Sequence, residues 1–209
     1  MEEESKLFPL IEASKNGDIE RVKDLIWFGH NTNDTITGGV TALMLASQNG
    51  HLKVAETLLN NSAQKDAKRN DGATALMLAS GNGHLEIAKQ LVWRGASVND
   101  KTKDGYTALM IASQNGHLGI AELLILSGHA DVNAQDNHNN TALIYATSNN
   151  NNEVANLLIK NRANITLVNN DGQTALNWLK KNSNSPKTRK PQKSREPNKT
   201  RKSRKSRRN

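Results

Sequence analysis

Apolar and polar positions alternate along most of this chain in one recurring order. Leu43, Leu45 and Ala46 form an apolar stripe at helical spacing, and Leu52, Val54, Leu58 and Leu59 form a second one a few residues later. A short polar break holding Gly50 separates the two, and a longer polar stretch follows them. The same order returns along the chain. The tripeptide Thr-Ala-Leu marks it at Thr41, Thr74, Thr107, Thr141 and Thr174, at intervals of 33, 33, 34 and 33 residues. The pattern predicts pairs of short antiparallel helices, each pair apolar on one side. One such pair cannot bury its own apolar face, so at least about three must stack.

The residues between the stripes carry matching signals. Asp71-Gly72 and Asp104-Gly105 are tight-turn signals, because Gly supplies the positive φ such turns need. The Thr of each tripeptide suits the N-cap of the first helix, its hydroxyl accepting from an orphan backbone N–H. Ala46, Ala79, Ala112 and Ala146 are small enough for neighbouring helices to approach closely. Gly50, Gly83 and Gly116 fit the left-handed position that ends the first helix. The second helix is expected to bury Leu52, Val54, Leu58, Leu59 and their counterparts.

These motifs recur together. Asp71-Gly72-Ala73-Thr74-Ala75-Leu76-Met77-Leu78-Ala79-Ser80 reappears as Asp104-Gly105-Tyr106-Thr107-Ala108-Leu109-Met110-Ile111-Ala112-Ser113. Asn49-Gly50-His51-Leu52, Asn82-Gly83-His84-Leu85 and Asn115-Gly116-His117-Leu118 lie 33 apart. Gly128-His129-Ala130-Asp131-Val132-Asn133 closes one unit with a single inserted residue, which accounts for the 34-residue interval. Over roughly residues 5 to 182 the chain resembles the ankyrin repeat family. The resemblance implies an all-α solenoid of stacked helix–turn–helix units with hairpin tips.

Subtracting the period places a first unit at residues 1–37, where Ala13 aligns with Ala46 and Gly17 with Gly50. It lacks the Asp-Gly-x-Thr entry, as a capping repeat should. Full repeats are expected at 38–70, 71–103 and 104–137, and a degenerate one at 138–170. In the degenerate unit Asn150 stands for the glycine and Asn152 for what reads as a core leucine, making this the weakest full junction. A partial repeat is expected at 171–182, its stripe holding Trp178, and a disordered basic tail at 183–209. Two departures from the family pattern matter. Ala replaces Pro in every tripeptide. The following His, which in the family ties to the Thr, is Met44, Met77, Met110, Ile144 and Asn177, so that tie should be missing.

Charge divides the chain. Residues 180–209 hold 14 Lys or Arg and one acid, giving +13, while residues 1–179 hold 14 bases and 19 acids, giving −5. From Ser183 onward the only apolar residues are Pro186, Pro191 and Pro197, which cannot build a core. The clusters Lys187, Arg189, Lys190 and Arg201, Lys202, Arg204, Lys205, Arg207, Arg208 suit either a nuclear import receptor or nonspecific contact with nucleic-acid phosphates or another anionic surface. No aromatic interrupts the tail to stack on bases.

Catalysis finds no footing in the sequence. There is no cysteine, no H-E-x-x-H, no G-x-S-x-G and no phosphate loop. His51, His84 and His117 recur once per unit, which marks a structural position, and no metal or cofactor is expected. Leu123 to Leu126 is the longest aliphatic run, far short of a membrane span. The acidic Met1-Glu2-Glu3-Glu4 start argues against a secretory signal, so an intracellular monomer, cytoplasmic or nuclear, is expected. The resemblance implies a non-enzymatic module that binds a protein partner through its tips and first-helix faces. Those positions include Asn70, Asp71, Lys103, Asp104, Tyr106 and His138 at the tips, and Gln48, Asn82, Gln114 and Asn115 on the helices. Tyr106 reads as the only aromatic there and the best anchor. Trp27 and Trp93, in equivalent places two units apart, are expected to pack partly between repeats.

Overall fold

In the computed structural model, residues 8–183 are described. They form eleven helices and one two-stranded ribbon. In chain order these are α1 (Pro9–Asn16), α2 (Ile19–Trp27), β1 (Thr35–Ile36), β2 (Val40–Thr41), α3 (Ala42–Asn49), α4 (Leu52–Asn60), α5 (Ala75–Gly81) and α6 (Leu85–Trp93). Then come α7 (Ala108–Asn115), α8 (Leu118–Leu126), α9 (Ala142–Ser148), α10 (Asn152–Lys160) and α11 (Ala175–Ser183). The odd-numbered helices pack in sequence into one layer and the even-numbered helices into a second. The expectation for the basic tail falls almost wholly outside the described residues.

The first helices start where the sequence places their caps. Thr41, Thr74, Thr107 and Thr141 accept from the backbone N–H of the residue three positions on, at 3.2 to 3.4 Å. The missing His tie is partly replaced. The Met44 sulfur lies 3.5 Å from the Thr41 N–H, and at the last unit Asn177 restores a polar tie, its Oδ1 accepting from the Thr174 N–H at 2.9 Å. The expectation of a lost tie is therefore wrong at Asn177, because a short amide reaches back as the ring would.

The core lies between the two layers. Leu43, Met44, Ala46 and Ser47 are buried in α3, and Val54, Ala55 and Leu58 in α4, with the same positions repeated in later units. Leu52 and Leu59 are only half-buried, contrary to expectation, because they stand at the margins of the α4 stripe. Asn152 consequently replaces a marginal leucine, and it is exposed. The inserted residue is absorbed at the end of α8, where the Ala130 N–H reaches the Leu124 carbonyl six residues back at 2.9 Å, against five in the equivalent bonds of Ala63 and Ala96.

Three ladders of hydrogen bonds tie unit to unit. At the tips, the backbone N–H groups of Asn70, Lys103, Asn137 and Asn170 donate to Gly38, Asp71, Asp104 and His138 carbonyls at 2.7 to 3.0 Å. In the loops, side-chain oxygens of Asn33, Asp66, Asn99 and Asn133 accept from the next unit's Gln64, Ser97, Asp131 and Asn164 N–H at 2.7 to 2.8 Å.

The recurring histidines make the third ladder. Nε2 of His51, His84 and His117 meets the Lys15, Gln48 and Gly81 carbonyls of the preceding unit at 2.9 to 3.1 Å. A carbonyl only accepts, so Nε2 carries the proton in each ring. Asn151 takes this role in the fifth unit, donating to Ser113 and Gln114 carbonyls at 2.9 and 2.8 Å. Each ring sits on the glycine of the unit before. A Cβ at Gly50 would lie 2.6 Å from the His84 ring, and one at Gly83 2.8 Å from that of His117. These glycines also have φ near +80°, and Asn150 adopts the same left-handed turn at φ 61°.

Candidate partner-binding surface

The tips and the outward side of the first helices form one continuous polar strip. Asn70, Asp71, Lys103, Asp104 and His138 are exposed at the tips, and Gln48, Asn82, Gln114 and Asn115 on the helices. Ala73, which the period also assigns to a tip, is buried. Two of the helical amides are already engaged. Asn115 Nδ2 donates to the Gly81 carbonyl of the preceding unit at 2.8 Å, and Asn82 Nδ2 to the Leu78 carbonyl at 2.9 Å. Gln48 and Gln114 make no side-chain hydrogen bond to described residues and are available to a partner.

A groove of about 300 Å³ interrupts this strip between the third and fourth units. It brings together four of the residues singled out by sequence: Asp71, Asn82, Asp104 and Tyr106. Its remaining walls come from Met77, Leu78 and Ile111, with Arg69 and Thr102 at the hairpin end. Gly81 stands where Gln48 and Gln114 stand in the neighbouring units, so the groove is a notch left by a missing side chain. Gln48, Asn70, Lys103, Gln114, Asn115 and His138 lie outside it.

Tyr106 is half-buried and is not the only aromatic here. Tyr145 of the next unit lies beside it, ring centroids 5.6 Å apart and planes inclined by 31°. The Tyr145 hydroxyl donates to Asp136 Oδ2, and Asn140 Nδ2 donates back to the hydroxyl at 3.3 Å. Asp136 is itself buried and accepts from the His138 and Asn140 N–H groups, both at 2.8 Å. Burial first, then the bond to Asp136 and the nearby Tyr106, push the Tyr145 phenol well above its ordinary range. Tyr145, held by Asp136, presents its ring to that of Tyr106. Its register position, shared with Leu45, Leu78 and Ile111, was the available signal for it.

At the hairpin end, Arg69 Nε donates to Asp71 Oδ1 at 3.0 Å, and a second guanidinium nitrogen meets Oδ2. That donation holds the Asp71 carboxyl down to about 2, outweighing a small burial penalty, with the Ala73 N–H a lesser donor. Asp104 makes no side-chain bond to described residues and offers an open carboxylate on the groove's rim.

Trp27 and Trp93 depart most from expectation. They are 80% and 69% exposed, not packed between repeats. The second helices bury Leu25 and Leu91, two residues earlier and so about 200° round the helix, which turns the last residue of each helix outward.

Among the described residues, no cluster of three or more His, Cys, Asp or Glu side chains could hold a metal ion, and no helix is long and apolar enough to cross a membrane. No curated protein matches the chain. The family model described as ankyrin repeats (3 copies) matches residues 10–102, 82–169 and 126–187. Repeats of this kind are generally protein–protein interaction modules. With that match spanning most of the sequence, and with the capped helix pairs, the layered stack and the tip ladder, the chain belongs to the ankyrin repeat family.

Proposed function

We propose that the chain is a non-enzymatic adaptor that docks one protein partner on the strip of tips and first helices, with its anchor in the groove at Gly81. The observation that carries this reading is an apolar-walled notch in an otherwise polar face, bordered by Tyr106, whose ring is backed by that of Tyr145. Such a concavity suits one apolar side chain of the partner, and a rigid aromatic wall limits the entropy lost on docking. Asp104 on the rim favours a basic neighbour to that side chain, while Gln48 and Gln114 supply hydrogen bonds to either side.

The test compares partners captured by the full chain with those captured by Tyr106→Ala/Asp104→Ala and by Gly81→Gln. Glutamine already occupies this register at positions 48 and 114, and a Cβ at Gly81 would stand 3.1 Å from Ile111 Cγ2, a contact that a shift of a few tenths of an ångström relieves. The expected result is loss of the same partner in both variants with an unchanged circular dichroism spectrum. A partner set identical across all three proteins would exclude the groove.

The basic stretch from Ser183 supplies location in this reading, as an import address or as electrostatic attachment. Its +11 set against −3 in residues 1–182 supports the division of labour. Removing residues 184–209 should change the protein's distribution in cells; an unchanged distribution excludes the import role. A nucleic-acid role for the same stretch requires salt-sensitive binding to mixed-sequence RNA or DNA by the full chain.

A further inference from the structure

The chain has seven aromatic residues, and three of them, Trp27, Phe28 and Trp93, stand exposed at one structural position. That position is the C-terminal end of the second helices. These helices pack side by side in sequence, so their ends line up along one edge of the stack. Adjacent ends touch: Arg94 Nη2 donates to Asn60 Oδ1 at 2.6 Å. With neighbouring axes about 8–10 Å apart, Trp27 and Trp93 lie roughly 20 Å from each other. Phe28 is 72% exposed beside Trp27, and Leu126 is 56% exposed beside Trp93. Further along the same edge stand Lys160 and Arg162, both exposed.

We propose that this edge is a docking ridge for an anionic lipid bilayer surface. Large exposed aromatics have an apolar body and, in tryptophan, a polar N–H, which suits the headgroup boundary of a membrane. Arg94, Lys160 and Arg162 lie in the same line to meet lipid phosphates and carboxylates. The terminal residues and caps along this edge, at positions 27–28, 60–61, 93–94, 126–127 and 160–162, include no carboxylate. Carboxylates begin one turn back, at Asp24, Glu56 and Glu122.

The stretch that follows α11 brings +11 of charge, and a polybasic segment joined to apolar wedges is a two-signal membrane attachment. Two features favour lipid over single-stranded nucleic acid. Leu126 has no π face on which a base could stack. Trp27 and Phe28 pack edge to face, centroids 5.0 Å apart at 76°, so the pair makes a wedge and not an open stacking platform.

The test uses the full chain with phosphatidylcholine vesicles, with and without phosphatidylserine. Co-flotation is expected with the anionic vesicles. Trp27→Ala/Phe28→Ala/Trp93→Ala should weaken it by about tenfold or more while leaving the circular dichroism spectrum intact, since all three side chains are exposed. In a Trp178→Phe background, emission from Trp27 and Trp93 should shift to the blue on anionic vesicles. If the triple variant is poorly folded, Trp93→Gln alone should still weaken flotation. Four results would overturn the proposal: unshifted tryptophan emission, equal vesicle affinity of wild type and triple variant, loss in the variant of single-stranded DNA binding only, or conversion by the variant of a dimer to a monomer with no vesicle binding in either protein.

Discussion

Ser14, Ser47, Ser80 and Ser113 occupy one place in four successive first helices, sealed from solvent with hydroxyls that find no hydrogen-bond partner among the described residues. An unsatisfied buried polar group costs about 1–3 kcal/mol, whereas Ala at the same site leaves almost no void. Ser80→Ala should therefore raise stability by about 1 kcal/mol, read as a higher urea midpoint with an unchanged m-value. Asp71 shows the opposite economy on the surface. Its folded pKa of about 2 lies below the unfolded carboxylate value of about 3.9. The stabilisation is thus present above about pH 4 and is lost as pH falls towards about 2. Its side chain is half-exposed, which keeps the contribution under about 1 kcal/mol. Asp71→Asn should flatten the stability profile in that window, as measured by urea midpoints across it. The threonine caps are legible from sequence because their partners lie three residues away. The Tyr106–Tyr145 pair is not, because its members are 39 positions apart and meet only when two units stack.

At the scale of the element, the glycine that ends each first helix has a local duty and a tertiary one. The left-handed turn is readable from the sequence. The imidazole of the next unit resting on that glycine is not, although the constant spacing of His51, His84 and His117 marks the position as structural. Gly83→Ala should cost about 2–3 kcal/mol, from the left-handed backbone and from displacing His117. His117→Ala alone should cost about 1 kcal/mol through its lost bond to the Gly81 carbonyl. Once the ring is gone the alanine methyl no longer meets it, so the double variant should cost less than the two single costs summed. A double-mutant cycle by chemical denaturation measures this coupling, and strict additivity would show that the ring is not seated on the glycine.

At the scale of the whole molecule, each unit is held only by its neighbours, so stability falls where neighbours are missing. The tripeptide leucine reports this directly. Leu43, Leu76, Leu109 and Leu143 are fully buried, but Leu176 in α11 is 39% exposed, and among the described residues no helix follows to cover it. Hydrogen exchange should therefore be fastest in α11 and slowest in α3 to α8, where every helix is flanked on both sides. Uniform protection from α3 through α11 would instead indicate that residues past 183 complete the stack.

The sequence by itself determined the period, the helix pairs, the caps, the left-handed turns and the segregation of charge. Each depends on residues within a turn or two of one another, or on composition. Tertiary structure decided the rest. The Gly81 notch opens only where Leu78 of one unit and Ile111 of the next are brought together, and Tyr106 packs against a tyrosine from the following unit. Trp27 and Trp93 became a surface because burial is set by what packs against a position, and at the ends of these helices the rings stay mostly uncovered.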